Sequence, residues 1–249
     1  MTYVNSYKVP EALVLPSMYY GPDPYDINFS FPIDESSLES DRIKLTPFIP
    51  ALHAQQYWDQ ATQAPEVFRY LSTSHKTLDE FLFFLETRIR SNPNFIFFAI
   101  IDKPRALAGL IGLINTEPEN LSTEIGFVTI FPAFQRTYVT SNAVGILLRY
   151  CLELPTAPRP GLGLRRVQWV AHTFNQASYN AAVRMGFRYE GTLRWHWVLP
   201  EGKEGNGSSL REGDPSRGPP RDNKVLSFCV DDWANGGREH VERAINRRA

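Results

Sequence analysis

The sequence predicts an α/β domain, a mixed sheet with helices on both faces, and three stretches carry that expectation. From Glu124 to Gly145 the chain reads E-I-G-F-V-T-I-F-P-A-F-Q-R-T-Y-V-T-S-N-A-V-G: a β-branched and aromatic strand, a break at Pro132, a polar turn, then an amphipathic helix. Asn94 to Asn115 holds two apolar runs separated by Asp102-Lys103-Pro104, the pattern of a β-hairpin. From Arg165 onwards a strand, a helix and another strand follow in turn, and elements alternating in this way build a sheet covered on both sides.

With 249 residues, 43% of them hydrophobic, the chain can bury one sizeable core. The expected organisation is an N-terminal extension over 1–40 and one domain over 41–249, with a flexible insertion at about 200–224. A net charge of -1 and a pI near 6.5 give no general attraction to nucleic acid or to an anionic membrane. Cys151 and Cys229 both sit in apolar stretches, so no disulfide framework is implied and a reducing compartment is expected. The start M-T-Y-V-N-S-Y-K-V-P lacks the basic and then apolar pattern of a signal peptide, and no window approaches the ~20 apolar residues of a membrane span. A cytoplasmic protein is therefore expected, with Asn206-Gly207-Ser208 a chance sequon.

The elements follow in order. Residues 1–40, rich in Pro, Tyr, Ser and Asp, lack periodicity and read as an arm that docks through its aromatics or stays partly disordered. Arg42 to Phe48 alternates as a short strand, Pro50 opens a helix, and a second helix is expected over Ala64 to Leu71. Thr77 and Glu80 form a capping box before F-L-F-F-L-E-T-R-I-R, which stops at Asn92-Pro93. Phe81, Phe83 and Phe84 belong most simply to the core. Gly109 and Gly112, inside the second hairpin run, predict a bulge or a close backbone approach. A strand over 121–131 leads to a helix from Thr140 to Leu154, with Val144, Leu147, Leu148, Cys151 and Leu152 inward. R-R-V-Q-W-V-A-H-T is the next strand, followed by a helix that Gly186 ends with φ > 0. T-L-R-W-H-W-V-L is a further strand, Pro200 to Lys224 a mobile polar loop, V-L-S-F-C-V the last strand, and D-D-W opens a helix through Arg248.

A strand, a tight turn and a helix start in succession aim backbone N–H groups and the positive end of a helix dipole at one point, which suits a phosphate-bearing ligand. An ordinary strand-to-helix connection has the same local pattern. The run I-G-F-x-x-x-F-P-A-F-Q-R-T-Y-V-T-S-N-A, with N-x-x-S, M-G-F, E-G and D-D-W after it, resembles the GNAT superfamily of N-acetyltransferases, most of all its RimJ/RimL branch. The likeness covers roughly residues 41 to 200 and 222 to 235. It implies a mostly antiparallel central sheet of about seven strands, flanked by helices and splayed between the fourth and fifth. It also implies acetyl-CoA as co-substrate and no metal. The family's phosphate turn, Q/R-x-x-G-x-G/A, aligns its defined positions with Phe134, Thr137 and Val139, so side chains stand where glycine usually lets backbone approach phosphate.

By the same resemblance Phe127, Val128, Thr129 and Ile130 run along pantetheine. Gln135, Arg136, Thr137, Tyr138, Val139 and Thr140 surround the pyrophosphate, and Asn175 and Ser178 lie near the pantetheine amides or adenine. Acetyl transfer to an amine needs the nucleophile deprotonated, the carbonyl oxygen stabilised and the thiolate released. Glu124 is the candidate base, acting through water; an exposed glutamate at a strand's start is the plainer alternative. The tyrosine acid common in the superfamily falls on Ala182, and Tyr179 lies about 60° round the helix. Thiolate departure is therefore expected with water or Ser178 nearby. His172 and His196 are candidates for contact with the acceptor, although a histidine on an aromatic strand is more often structural. The implied activity is acetyl transfer to a primary amine of a small molecule or a protein N-terminus by direct attack on the thioester, in a monomer or homodimer. The alternative, motivated by the lost glycines and tyrosine, is an acyl-CoA-binding or interaction module with weak or no turnover.

Overall fold

The computed structural model describes residues 3–8, 14–103 and 106–247. Its centre is a 7-stranded sheet in the order β1-β2-β3-β4-β5-β7-β6. The strands are β1 (Ile43–Pro47), β2 (Ile96–Asp102), β3 (Ala106–Glu117), β4 (Ser122–Ile130), β5 (Arg166–His172), β6 (Arg188–Val198) and β7 (Pro220–Cys229). Every pairing is antiparallel except β4 with β5. This is the mixed, mostly antiparallel sheet expected from the sequence. Its shape follows from composition: I-F-F-A-I-I is apolar throughout because both faces of β2 are covered, whereas β1 buries only alternate residues.

One face carries α1 (Pro50–Thr62) and α2 (Leu78–Phe84), which runs on into a wider turn over Leu85–Arg90. Proline at the first position of α1 costs no hydrogen bond, because that N–H would lack a partner anyway. Thr77 Oγ1 accepts from the Glu80 N–H at 3.2 Å, while Glu80 Oε2 takes the Lys76 N–H at 2.7 Å, so the capping box closes one residue further out than the motif implies. Aromatic rings weld these helices to the sheet: Tyr57 stacks on Phe81 at 5.1 Å and meets Phe131 at 5.5 Å.

The other face carries α3 (Val139–Leu152), α4 (Gln176–Arg184) and α6 (Arg238–Asn246), which a helical turn α5 (Val230–Asp232) precedes. α3 is buried nearly all round between the sheet and α6; a Cβ at Gly145 would come within 2.7 Å of Ile245 Cγ1. Among the described residues no helix is long and apolar enough to cross a membrane.

Two expectations change. Ala64–Leu71 is not a helix but a single 3-10 turn, Pro65–Phe68. The polar loop after Val198 ends before Lys224, because β7 already begins at Pro220. Of the two readings of the arm, its described later part docks on the domain: Tyr150 Oη donates to Pro32 O at 2.7 Å and accepts the Asp34 N–H at 3.0 Å, Asn28 Nδ2 donates to Arg90 O at 2.7 Å, and Leu38 is fully buried. Pro104 of the hairpin turn and Arg248 of the last helix lie outside the described residues.

Gly109 is the tightest point of the sheet. Its φ is +157°, and a Cβ there would lie 2.0 Å from Thr129 O on β4. Gly109→Ala is expected to destabilise the fold by roughly 2–4 kcal/mol, read as a lower urea midpoint at unchanged slope. An unmoved midpoint would show that β3 and β4 do not approach so closely.

Candidate active site

Two neighbouring strands part at the middle of the sheet. β4 pairs with β5 only through Ser122–Arg166, Thr123–Val167 and Glu124–Gln168. Beyond Glu124, β4 bends away, and the cause lies in its other ladder: Leu110 pairs with Thr129 and Gly112 with Gly126, so β4 holds an extra residue between these pairs. Phe127 absorbs it at φ +52°, a left-handed conformation that costs about 1 kcal/mol or more in a non-glycine residue. Packing of its ring on Phe97 (4.9 Å) and Phe84 (5.8 Å) offsets that strain. The result is a gap between β4 and β5 with irregular backbone on its lip.

At the far end of β4 the chain turns through Pro132–Phe134 and reaches α3. Gln135 Nε2 donates to Ile130 O at 2.9 Å and Thr137 Oγ1 to Phe134 O at 2.6 Å, so the turn is fastened by its own side chains. Arg136 takes the left-handed conformation, φ +58°. Gln135, Arg136 and Thr137 are exposed; Tyr138, at the N-cap, gives this 14-residue helix no side-chain cap, and Thr137 Oγ1 accepts the first N–H, that of Val139, at 3.3 Å. An exposed helix start beside a strand opening, with only its first N–H taken by a side chain, fits a diphosphate bound through the backbone N–H groups that follow. Val139 packs its side chain into the core, Thr140 is half-buried in the first turn of α3, and Thr129 and Ile130 are buried, so the backbone is what these residues offer. Val128 is half-buried on the lip. Tyr138 Oη donates to Asp102 Oδ1 at 2.6 Å beneath the Arg42 guanidinium, 4.1 Å from its ring.

Glu124 stands where the strands part and is 3% exposed. Asn115 Nδ2 (3.1 Å) and Gln168 Nε2 (3.4 Å) both donate to Oε2. Oε1 lies over Gly126, 3.6 Å from where a Cβ would stand, and so faces along β4 towards the bulge. Burial raises the carboxyl to about 7, only partly opposed by the Asn115 and Gln168 hydrogen bonds and by the Arg221 charge. A carboxyl with that value exchanges protons readily near neutrality.

The remaining expected residues divide between the two faces. Gln168 reaches Glu124, whereas the next residue, Trp169, points the opposite way and donates through Nε1 to Ser178 Oγ at 3.0 Å. Ser178 therefore stands across the sheet from Glu124, and Asn175 caps α4 by accepting the Ser178 N–H at 3.1 Å. His172 shares Glu124's face but is covered, its Nε2 against Glu204 O at 3.2 Å and its ring against Tyr70. His196 is exposed on β6, its Nδ1 paired with Asn223 Nδ2 at 2.9 Å. Sequence reading did not single out Asn115, Gln168, Arg221 or Asn223. By alternation Gln168, between the buried Val167 and Trp169, reads as facing away from the core, so the sequence carried no signal for it. Ligand atoms of Cys229, Asp231 and Asp232 lie within 4.8 Å of one another, but Asp232 Oδ2 accepts the Cys229 N–H at 3.0 Å and the group caps a helical turn.

The family model for an acetyltransferase (GNAT) domain matches residues 42–188. Among solved structures, a GCN5-related N-acetyltransferase from Brucella melitensis is 25% identical over 83% of this chain and 84% of its own, with a TM-score of 0.67. A protein from T. thermophilus assigned as an acetyltransferase is 26% identical over 86% of this chain and 98% of its own, also at 0.67. A spermidine N-acetyltransferase from Vibrio cholerae, solved with CoA and spermine, is 16% identical over 79% and 100%, at 0.59, and speaks for the fold alone. No curated protein sequence matches the chain.

Proposed function

Because the chain belongs to the GNAT acetyltransferase family, we propose that it moves the acetyl group of acetyl-CoA to a primary amine, of a small molecule or a protein N-terminus, by direct attack on the thioester. We place it in the RimJ/RimL-like branch, in the cytoplasm, as a monomer or homodimer.

The observation that carries this reading is Glu124: a buried carboxyl near pKa 7, with one oxygen turned towards the bulge of β4 where β4 and β5 separate. An aliphatic ammonium loses its proton near 10.4 and a protein N-terminus near 8, so the acceptor arrives largely protonated. Glu124 Oε1 draws that proton away through water, while Asn115 and Gln168 hold Oε2. Phe127 and Val128, which stand outside the ladder with β3, present backbone N–H groups for the carbonyl oxygen. The turn from Gln135 to Thr140 holds the diphosphate at the start of α3, and the β4 backbone from Phe127 to Ile130 lies along pantetheine. Ser178, accepting from Trp169, can offer its own hydrogen on the thiolate side. Acetyl-CoA supplies an activated acyl group, because a thiol with a pKa of roughly 8.5 leaves readily.

The test is a thermal-shift titration with CoA followed by thiol release against a panel of amines and peptides. The reading requires CoA to raise the melting temperature and at least one amine to release thiol. Binding without release from any amine would leave a CoA-binding module and overturn it.

A further inference from the structure

The sheet face leading away from Glu124 carries a buried cation that the transfer chemistry does not use. Gln168, Val170 and His172 share one face of β5, and across the ladder Ser227 stands opposite Gln168 and Asn223 opposite His172. Arg221, two positions further along β7, shares that face and is 4% exposed. Its Nε donates to Asn223 Oδ1 at 2.6 Å, its Nη1 to Tyr70 O at 3.0 Å, and its plane lies 4.6 Å from the Trp197 ring centre. Nη2 has no protein acceptor among the described residues, yet it is not sealed from solvent.

Lys203 brings a second cation to the same place. Its Nζ donates to Phe68 O at 2.6 Å, two residues from the Tyr70 carbonyl that Arg221 holds. Burial first, then the Arg221 charge, holds the Lys203 ammonium below its ordinary value. The carboxylates nearby are engaged elsewhere. Glu204 pairs with Arg69 at 2.7 Å, Asp222 accepts from the Trp195 N–H and Asn206 Nδ2, and Glu124 faces the reacting amine. His172 and His196 are both held towards their neutral forms, by burial and then by Arg221. Fastening Lys203 and β7 to the Phe68–Tyr70 turn accounts for Lys203 Nζ and Arg221 Nη1, and Asn223 on the same strand takes Arg221 Nε. It does not account for Nη2, and a buried guanidinium that feels the Glu124 charge but forms no ion pair among the described residues is costly.

We infer that the acceptor is an amine that also bears a carboxylate, its amine facing Glu124 and its carboxylate taken by Nη2 of Arg221 with Lys203 alongside. This deepens the acetyl-transfer reading and rests on it. The same two cations repel a polyamine, whose second ammonium would face them.

Initial rates of thiol release at saturating acetyl-CoA test the inference with matched pairs: the ω-amino acids from 3-aminopropanoate to 6-aminohexanoate, the n-alkylamines of equal length, and the α,ω-diamines. At one length or more, the wild-type protein is expected to prefer the amino acid over its alkylamine by at least about tenfold in kcat/KM, mainly through KM. Arg221→Met should bring that ratio close to one, and Lys203→Met should lower it in the same direction. Should Arg221→Met not fold, Arg221→Lys takes its place, keeping the charge but losing the Nη2 donor, with a smaller fall in the ratio expected. Parity throughout the series, a preference for diamines, or a ratio indifferent to these substitutions would overturn the inference while leaving acetyl transfer intact. Failure of every amine, with CoA still raising the melting temperature, would overturn the acetyl-transfer reading and this inference together.

Discussion

Glu124→Gln is expected to lower kcat/KM for acetyl transfer by about 10²- to 10⁴-fold at neutral pH, the usual worth of a positioned base, while leaving CoA affinity unchanged. The amide keeps the shape and the neighbours of the carboxyl but cannot take a proton. CoA is to be gripped at the helix start beyond Ile130, away from Glu124, so binding and turnover separate. Stability supplies the control. Burial raises this carboxyl from 4.5 to about 7, so the folded state holds the proton more tightly than the unfolded one. Its contribution is complete below about pH 4.5 and lost as pH rises through about 7, a difference of roughly 3 kcal/mol. Gln cannot ionise, so above neutrality the variant should melt no lower than wild type. A variant that loses activity because it unfolds would contradict this, and one with unchanged rates would remove Glu124 as the base.

Thr137→Trp is expected to weaken CoA binding by about 10²-fold or more, as the loss of two charge-assisted hydrogen bonds to phosphate would. Thr137 is exposed on the turn before α3, its hydroxyl donating to Phe134 O at 2.6 Å and accepting the Val139 N–H at 3.3 Å. An indole there covers the helix start without entering the core, so the fold should survive, with a melting temperature lowered only by the loss of the two hydroxyl hydrogen bonds. Calorimetric titration with CoA measures the effect, and retained affinity would show that the diphosphate sits elsewhere.

The same two regions show what could be read from the chain alone. The turn was legible because Pro132 breaks an obvious strand and an obvious helix follows, and Glu124 stood out as the single carboxylate of that strand. The close approach at Gly109 was legible as well: a glycine within a β-branched and aliphatic run signals backbone contact. Ala64–Leu71 misled because apolar residues at helical spacing lie behind Pro65, yet only one turn forms there, and the carbonyls of Phe68 and Tyr70 accept from Lys203 and Arg221. The first half of β7 misled for the opposite reason. P-R-D-N-K has the composition of a solvated loop, but Arg221 and Asn223 are buried on the sheet face they share with Gln168 and His172. Polarity that marks a surface in one context lines a site in another, and only the pairing of β7 with β5 and β6 separates the two.

The pH dependence of kcat/KM, followed from about pH 5 to about pH 9 for wild type and Glu124→Gln with one acceptor amine, tests the central claim most directly. Wild type should show a rising limb with its midpoint near 7 in addition to the limb belonging to the amine itself, and Glu124→Gln should lose the first and keep the second. An identical pair of limbs in both proteins would contradict the assignment of Glu124 as the group that accepts the proton.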